Sequence, residues 1–444
     1  MTRATDREIL RLAVPAFLAL IAEPLFLLAD AAIIGHLGTA PLAGLGIAGA
    51  VLQTVIGLCV FLAYGTTGSV ARRLGAGDLR GAMAQGVDGL WLAFGIGSIV
   101  TVAGVLLAEP LVRLFGASDR VSDPAATYLR IAFLGTVPLL LMLAATGVLR
   151  GLQDTRTPLV VAVAGNALNV VLNLLLVYPA GLGIAGSALG SVLAQVASAA
   201  VFVAVVVRAA RRHGASLRPD LPGIRSAGRA GVPLVIRTLT LRAAIVITTY
   251  AVTLAAISAR DQEVDLATHQ LAMTLWGFLA FALDAIAIAA QALTGRSLGA
   301  GDVAGTRVTT TRMVRWGLAS GVVTGLLLAA ASPLIGHLFT SDPAVLDLLV
   351  PVLVVAALGQ PIAGVVFVLD GVLIGAGDGR YLAGAGLVTL VVYVPVLLVL
   401  AAQSAGLVAI WVAFSAVFMG ARLVVLVRRA RGDAWLVTGV DMSS

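Results

Sequence analysis

Apolar residues fall in twelve runs, each near the 20 or so residues that a helix needs to cross hydrocarbon, with short polar gaps between them. The first six cover about 12 to 34, 42 to 66, 85 to 108, 127 to 149, 158 to 178 and 183 to 207. Six more cover about 231 to 257, 266 to 292, 313 to 336, 345 to 374, 381 to 401 and 405 to 427. The first run follows Arg3, Arg7 and Arg11 and so has the outline of a signal peptide. It is too long for one and contains Glu23 and Asp30, which predicts an uncleaved first span despite the cleavage-like string Ala29-Asp30-Ala31. Twelve spans and no intervening soluble segment predict an all-α membrane protein.

Composition agrees. Of 444 residues 60% are apolar and 11% charged, with a mean hydropathy of +1.04, a balance that requires lipid as solvent. All 29 basic residues are arginine. They lie in the gaps between apolar runs and make no single basic face, so the high pI does not indicate a nucleic-acid partner. One cysteine, Cys59, permits no intramolecular disulfide and no multi-cysteine metal site. His36, His213, His269 and His337 are scattered, so no metal or nucleophile constellation is predicted, no cofactor, and no enzyme.

Arginine placement orients the spans, because positively charged loops are retained in the cytoplasm. One side holds Arg3, Arg7, Arg11, Arg72, Arg73, Arg80, Arg150, Arg156, the run Arg208 to Arg229, Arg296, Arg307, Arg312, Arg315, Arg380, Arg422, Arg428, Arg429 and Arg431. The other holds only Arg113, Arg120 and Arg260 among several acids. Both termini are therefore expected in the cytoplasm, and the protein in the inner (plasma) membrane.

The chain repeats itself. "RRLGAGD" at 72–78 returns as "GRSLGAGD" at 295–302, and "GVLRGLQDTR" at 147–156 lines up with "GVLIGAGDGR" at 371–380 on the same offset of 224. Two halves of six spans each enter the membrane in the same orientation. The expected organisation is a six-helix bundle over 1–207, a cytoplasmic linker over 208–230, a second six-helix bundle over 231–427 and a tail over 428–444. Each "GAGD" follows the cytoplasmic end of a span, where glycine ends a helix and aspartate starts the next. No "GK[ST]" follows, so these are not phosphate loops, and no nucleotide-driven pump is indicated.

An ionisable group inside a span is expensive and marks a candidate site. Glu23 and Asp30, seven apart on span 1, share a helical face. Asn166, Asn169 and Asn173 form one stripe on span 5, and Ser191 sits on span 6. The bland alternatives are an interfacial carboxylate for Asp30 and interhelical packing bonds for the asparagines. In the second half Arg237, Asp284 and Asp370 fall toward the cytoplasmic third and are expected to form an ion-paired structural cluster.

The strings "EPLFLLADAAIIGHLG" (23–38), "GNALNVVLN" (165–173), "ALDAIAIAAQAL" (282–293) and "LDGVLIGAG" (369–377) resemble the multidrug and toxic compound extrusion family, in its DNA-damage-inducible F branch. The resemblance runs along nearly the whole chain. It implies a V-shaped pair of pseudo-symmetric bundles that exports drugs or metabolites in exchange for H+ or Na+. It also implies a coupling aspartate at Asp30, a bending proline at Pro15, and polar cavity positions at Glu23, Asn169, Asn173 and Ser191. Many relatives carry aspartate where this chain has Asn173 and an uncharged residue at Glu23, so the site's second carboxylate is expected to have moved to span 1 and to share a proton with Asp30. The expected partner is a cationic or amphipathic small molecule, with membrane lipid around a monomer. The alternative within transporters is a lipid-linked oligosaccharide flippase, whose cavity tends to be lined by cations. A channel is the other alternative.

Overall fold

The computed structural model describes residues 2–440, with side chains from residue 5 onward; the side chain of Arg3 and residues 441–444 of the tail lie outside the described residues. Every span is helical. In chain order the helices are α1 (Thr2–Gly35), α2 (Thr39–Cys59), α3 (Phe61–Gly75), α4 (Leu79–Arg113), α5 (Asp119–Leu134), α6 (Thr136–Gly151), α7 (Arg156–Val177) and α8 (Gly183–Arg212). They continue as α9 (Leu221–Ala255), α10 (Ala259–Gly299), α11 (Val303–Ile335), α12 (Pro343–Gly375), α13 (Gly379–Ala402), α14 (Gly406–Val412) and α15 (Met419–Arg431), the last two joined by a π-helical turn, Ala413–Phe418. α2 with α3 makes one span, as does α14 with α15. α5 and α6 meet at a 50° bend, where Pro138 has no N–H to offer the carbonyl of Leu134. Counting that bent pair as one, the described residues contain twelve spans, and the protein is a multi-pass membrane protein.

Large apolar side chains cover the outside of the helices: Ile99, Leu106, Leu326 and Val391 are all well exposed, as hydrocarbon-facing positions are. Contacts divide the chain into two units, Val14–Gly231 and Met1–Ala13 with Val232–Ser444. Residues 2–13 thus pack with the second half. Asp6 accepts from Arg312 Nε at 2.6 Å and from Trp316 Nε1 at 2.8 Å, and Glu8 pairs with Arg296 at 3.0 Å. The connection over 208–230 is mostly helical, because α8 runs to Arg212 and α9 starts at Leu221, leaving 213–220 between them. The tail also docks: Trp435 is buried, and Gly439 N–H donates to Leu298 O at 3.0 Å.

Within each unit the sequence repeat is a repeat of local geometry. Asp78 caps α4 by accepting from Gly81 N–H at 2.8 Å, and Asp302 caps α11 by accepting from Gly305 N–H at 2.7 Å. The glycine before each is left-handed, Gly77 at φ 77° and Gly301 at φ 75°. At the second repeated string Gly377 has φ 76° while its counterpart Gln153 holds φ 63°, a conformation that costs a non-glycine residue. Helix packing repeats too. A methyl added to Gly147 would collide with Ala63 on α3, and one added to Gly371 would collide with Ala287 on α10, the equivalent residue by the same offset. Small residues let these backbones approach where lipid supplies no hydrophobic drive.

Candidate functional site

Asp30, near the end of α1, is 3% exposed. Its Oδ1 accepts from Asn173 Nδ2 on α7 at 2.9 Å and from Ser187 Oγ on α8 at 2.5 Å, and its Oδ2 accepts from Tyr128 OH on α5 at 3.3 Å. Three neutral donors from three helices thus converge on one buried carboxylate, and among the described residues no cation is one of its partners. Asn173 fits because Gly190 faces it: a methyl there would overlap Asn173 Oδ1.

α7 holds α1 along its length. Asn166 Nδ2 donates to Ala22 O at 2.9 Å, Asn173 to Asp30, and Tyr178 OH to Ile33 O at 2.8 Å. The asparagine stripe therefore makes interhelical bonds and faces the carboxylate at once. Asn169 Oδ1, Asn173 Oδ1 and Ser191 Oγ are buried oxygens with no hydrogen-bond partner among the described residues. Such oxygens are costly in a dry interior, and here they cluster on the helices that carry the Asp30 donors.

Glu23 lies about 10 Å from Asp30 along α1 by the rise of 1.5 Å per residue and is exposed, whereas Asp30 is buried. The donors to Asp30 are Asn173, Ser187 and Tyr128, so the proton shared directly between the two carboxylates that the sequence suggested has no contact to run through. Pro15 stays within a continuous α1, as does Pro24. It lies two residues past Ala13, the last residue of α1 that packs with the second half.

Spacing did not single out Ser187, Tyr128 or Tyr178. Ser187 lies one helical turn before Ser191 on the same face of α8, which is a usable signal. Tyr128 gives none, since a tyrosine in an apolar span reads as packing.

In the second unit Asp370 on α12 accepts from Arg237 of α9, through both Nε at 3.3 Å and Nη2, and from Arg422 Nη2 of α15 at 2.5 Å. Asp284 on α10 lies within electrostatic reach of Arg422. The expected cluster of Arg237, Asp284 and Asp370 gains a fourth member. Arg422 does not belong among the loop arginines, being 8% exposed inside the unit, and Arg72 is likewise fully buried on α3. Arg242 is exposed on α9.

The MatE family model matches residues 15–175 and 240–399. Protein DETOXIFICATION 44, chloroplastic, of Arabidopsis thaliana is 31% identical over 94% of this chain and 80% of its own length. DNA damage-inducible protein F of Escherichia coli is 29% identical over 67% of this chain and 65% of its own. A crystal structure of a MATE protein in complex with MaL6 superposes with a TM-score of 0.86 at 22% identity, covering 97% of both chains.

Proposed function

This chain belongs to the MatE family of multidrug and toxic compound extrusion transporters, and on that premise we propose that it is a cation-coupled antiporter that couples ion entry to efflux through Asp30. Its substrates are small cationic or amphipathic molecules, its coupling ion is H+ or Na+, and no cofactor takes part. It works as a monomer in the plasma membrane with both termini in the cytoplasm, in keeping with the arginine asymmetry of its loops.

The observation that supports this most is the contrast between two buried aspartates. Asp370 is neutralised by Arg237 and Arg422, and a carboxylate held by two guanidiniums has no reason to exchange a cation. Asp30 is held by neutral donors only. Its charge is therefore available to an incoming cation, and its donors are arranged for the ionised form.

Loading then rearranges the site. A proton on Asp30 converts one acceptor oxygen into a donor, and three donors already point at that carboxyl. One must turn away. Asn173 can satisfy the new O–H by rotating its amide, since its Oδ1 is unpartnered and the rotation presents oxygen where nitrogen stood. A sodium ion would instead draw on Asp30 and the unpartnered oxygens of Asn173, Asn169 and Ser191. In either case the bond from α7 to α1 at Asp30 is remade. The change reaches α1, a continuous helix that contains Pro15 and Pro24, where missing N–H groups leave carbonyls without their helical donors and bending is cheap. Glu23, exposed on the same face, serves as a charge that attracts a cationic substrate.

Efflux of a panel of cationic, neutral and anionic dyes from proteoliposomes, with proton and sodium gradients imposed separately, tests the proposal. It expects cationic dyes to move against one of the two gradients. Transport indifferent to both would refute antiport and favour the flippase or the channel reading.

A further inference from the structure

We propose that the connector 208–230, which runs from the end of α8 through the first turns of α9, is a fixed binding surface for anionic phospholipid headgroups. Residues 208–230 contain six arginines, Arg208, Arg211, Arg212, Arg218, Arg225 and Arg229, against a single acid, Asp220. All six are exposed, and among the described residues none forms an ion pair. Some arginines elsewhere on the same side are paired within the chain, but among the described residues no other stretch of that side gathers six exposed arginines without an ion pair. Arg73 pairs with Asp78, Arg296 with Glu8, Arg307 with Asp433, Arg312 with Asp6 and Arg429 with Asp378. The connector's charge is left for something outside the chain.

Its backbone, by contrast, is held. Trp91 Nε1 on α4 donates to Leu217 O at 3.1 Å, and Asp220 N–H donates to Asp88 Oδ1 at 3.4 Å. Ala215 is buried in the core of the first unit, and Leu217 packs against it. A segment that only spaced two helices would need no such anchoring. Anchored, it presents guanidiniums at the ends of two spans, the depth at which headgroup phosphates lie. Leu221, 70% exposed at the start of α9, adds an apolar side chain at the same level. Guanidinium pairs with phosphate oxygens in a bidentate fork, and basic residues beside a span gain from an anionic leaflet. The identification rests on the reading that the arginine-rich side faces the cytoplasmic leaflet.

The test measures lipid binding, not transport, so it stands or falls separately from the antiport proposal. Purified full-length protein in a neutral detergent is titrated with phosphatidylglycerol or phosphatidylcholine, and bound lipid is counted by native mass spectrometry alongside the melting temperature. Phosphatidylglycerol is expected to bind and to raise the melting temperature, and phosphatidylcholine not to. Arg211→Gln with Arg218→Gln should weaken phosphatidylglycerol binding roughly tenfold while leaving the lipid-free melting temperature unchanged. Arg113→Gln with Arg120→Gln, which removes the same charge from the opposite side, should stay within about twofold of wild type. Equal loss in both variants, or no loss in the first, would overturn the proposal. So would full displacement of the lipid by a soluble polyanion such as heparin, which would mark the surface as a site for a soluble partner.

Discussion

At the level of single residues, the structure separates carboxylates by what surrounds them. Asp30 has amide and hydroxyl donors, Asp370 has two guanidiniums, and Glu23 is exposed. Removing Asp370 takes the shared carboxylate away from half-buried Arg237 and buried Arg422, leaving Asp284 as the acid near Arg422. Asp370→Asn should cost about 3 to 5 kcal/mol, seen as a lower melting temperature in detergent, and an unchanged melt would contradict its structural role. Asp30→Asn swaps a carboxylate for an isosteric amide and should melt within a few degrees of wild type. Ser187→Ala removes one of three donors to a charged group, worth about 1.5 to 3 kcal/mol. Coupled efflux should fall about tenfold or more, yet stay measurable, whereas efflux at the wild-type rate would mean that Ser187 does not hold the carboxylate. Asp30, Asn169, Asn173 and Ser191 were legible in the sequence because polar groups in apolar spans are conspicuous. Tyr128 and Arg422 were not. A tyrosine there looks like packing, and an arginine near a span end looks like loop charge until neighbouring helices are seen to enclose it.

α1 belongs by contact to both units, with residues 2–13 on the second and the remainder on the first. Asp6, Arg312 and Trp316 hold its start. Asp6→Ala and Arg312→Ala should each raise amide exchange across residues 7–13 while leaving residues 25–35 protected, and the double variant should add little, since both remove one interaction. Unchanged exchange in the single variants would show that the clamp does not hold the helix start. On the opposite side Asp342 caps α12, accepting from Ala344 N–H at 3.0 Å and from Arg260 at 2.6 Å. Arg260 holds that carboxyl below the usual carboxylate range. A lowered folded-state value means that the stabilisation is complete above the ordinary value and lost as pH falls through the lowered one. Amide protection in the first turn of α12 should therefore drop in strong acid, and Asp342→Asn should remove that dependence; a pH profile identical in both proteins would count against it. Span positions came from the sequence to within a few residues at most ends, since hydrocarbon thickness dictates length. The bend between α5 and α6 did not, because one proline three residues past a glycine is compatible with a straight span.

Across the molecule, two halves share their elbows and their glycine contacts but not their charge chemistry. The repeated strings could be matched by eye, and they fold alike down to the left-handed residue before each capping aspartate. The packing of residues 2–13 with the second half could not be foreseen, because it depends on Asp6 and Glu8 finding arginines some 300 positions away. The same holds for the six unpaired arginines of the connector, visible as charge in the sequence but recognisable as unpaired only when all other partners are placed.

Ion release on substrate binding probes the coupling at Asp30 most directly. Detergent-solubilised protein in weakly buffered, sodium-indicating solution receives a transported cationic dye, and released H+ or Na+ is counted per dye bound. Wild type should release about one ion per dye, and Asp30→Asn should bind dye and release none. Equal release from both proteins would place the exchange at another group and contradict the account.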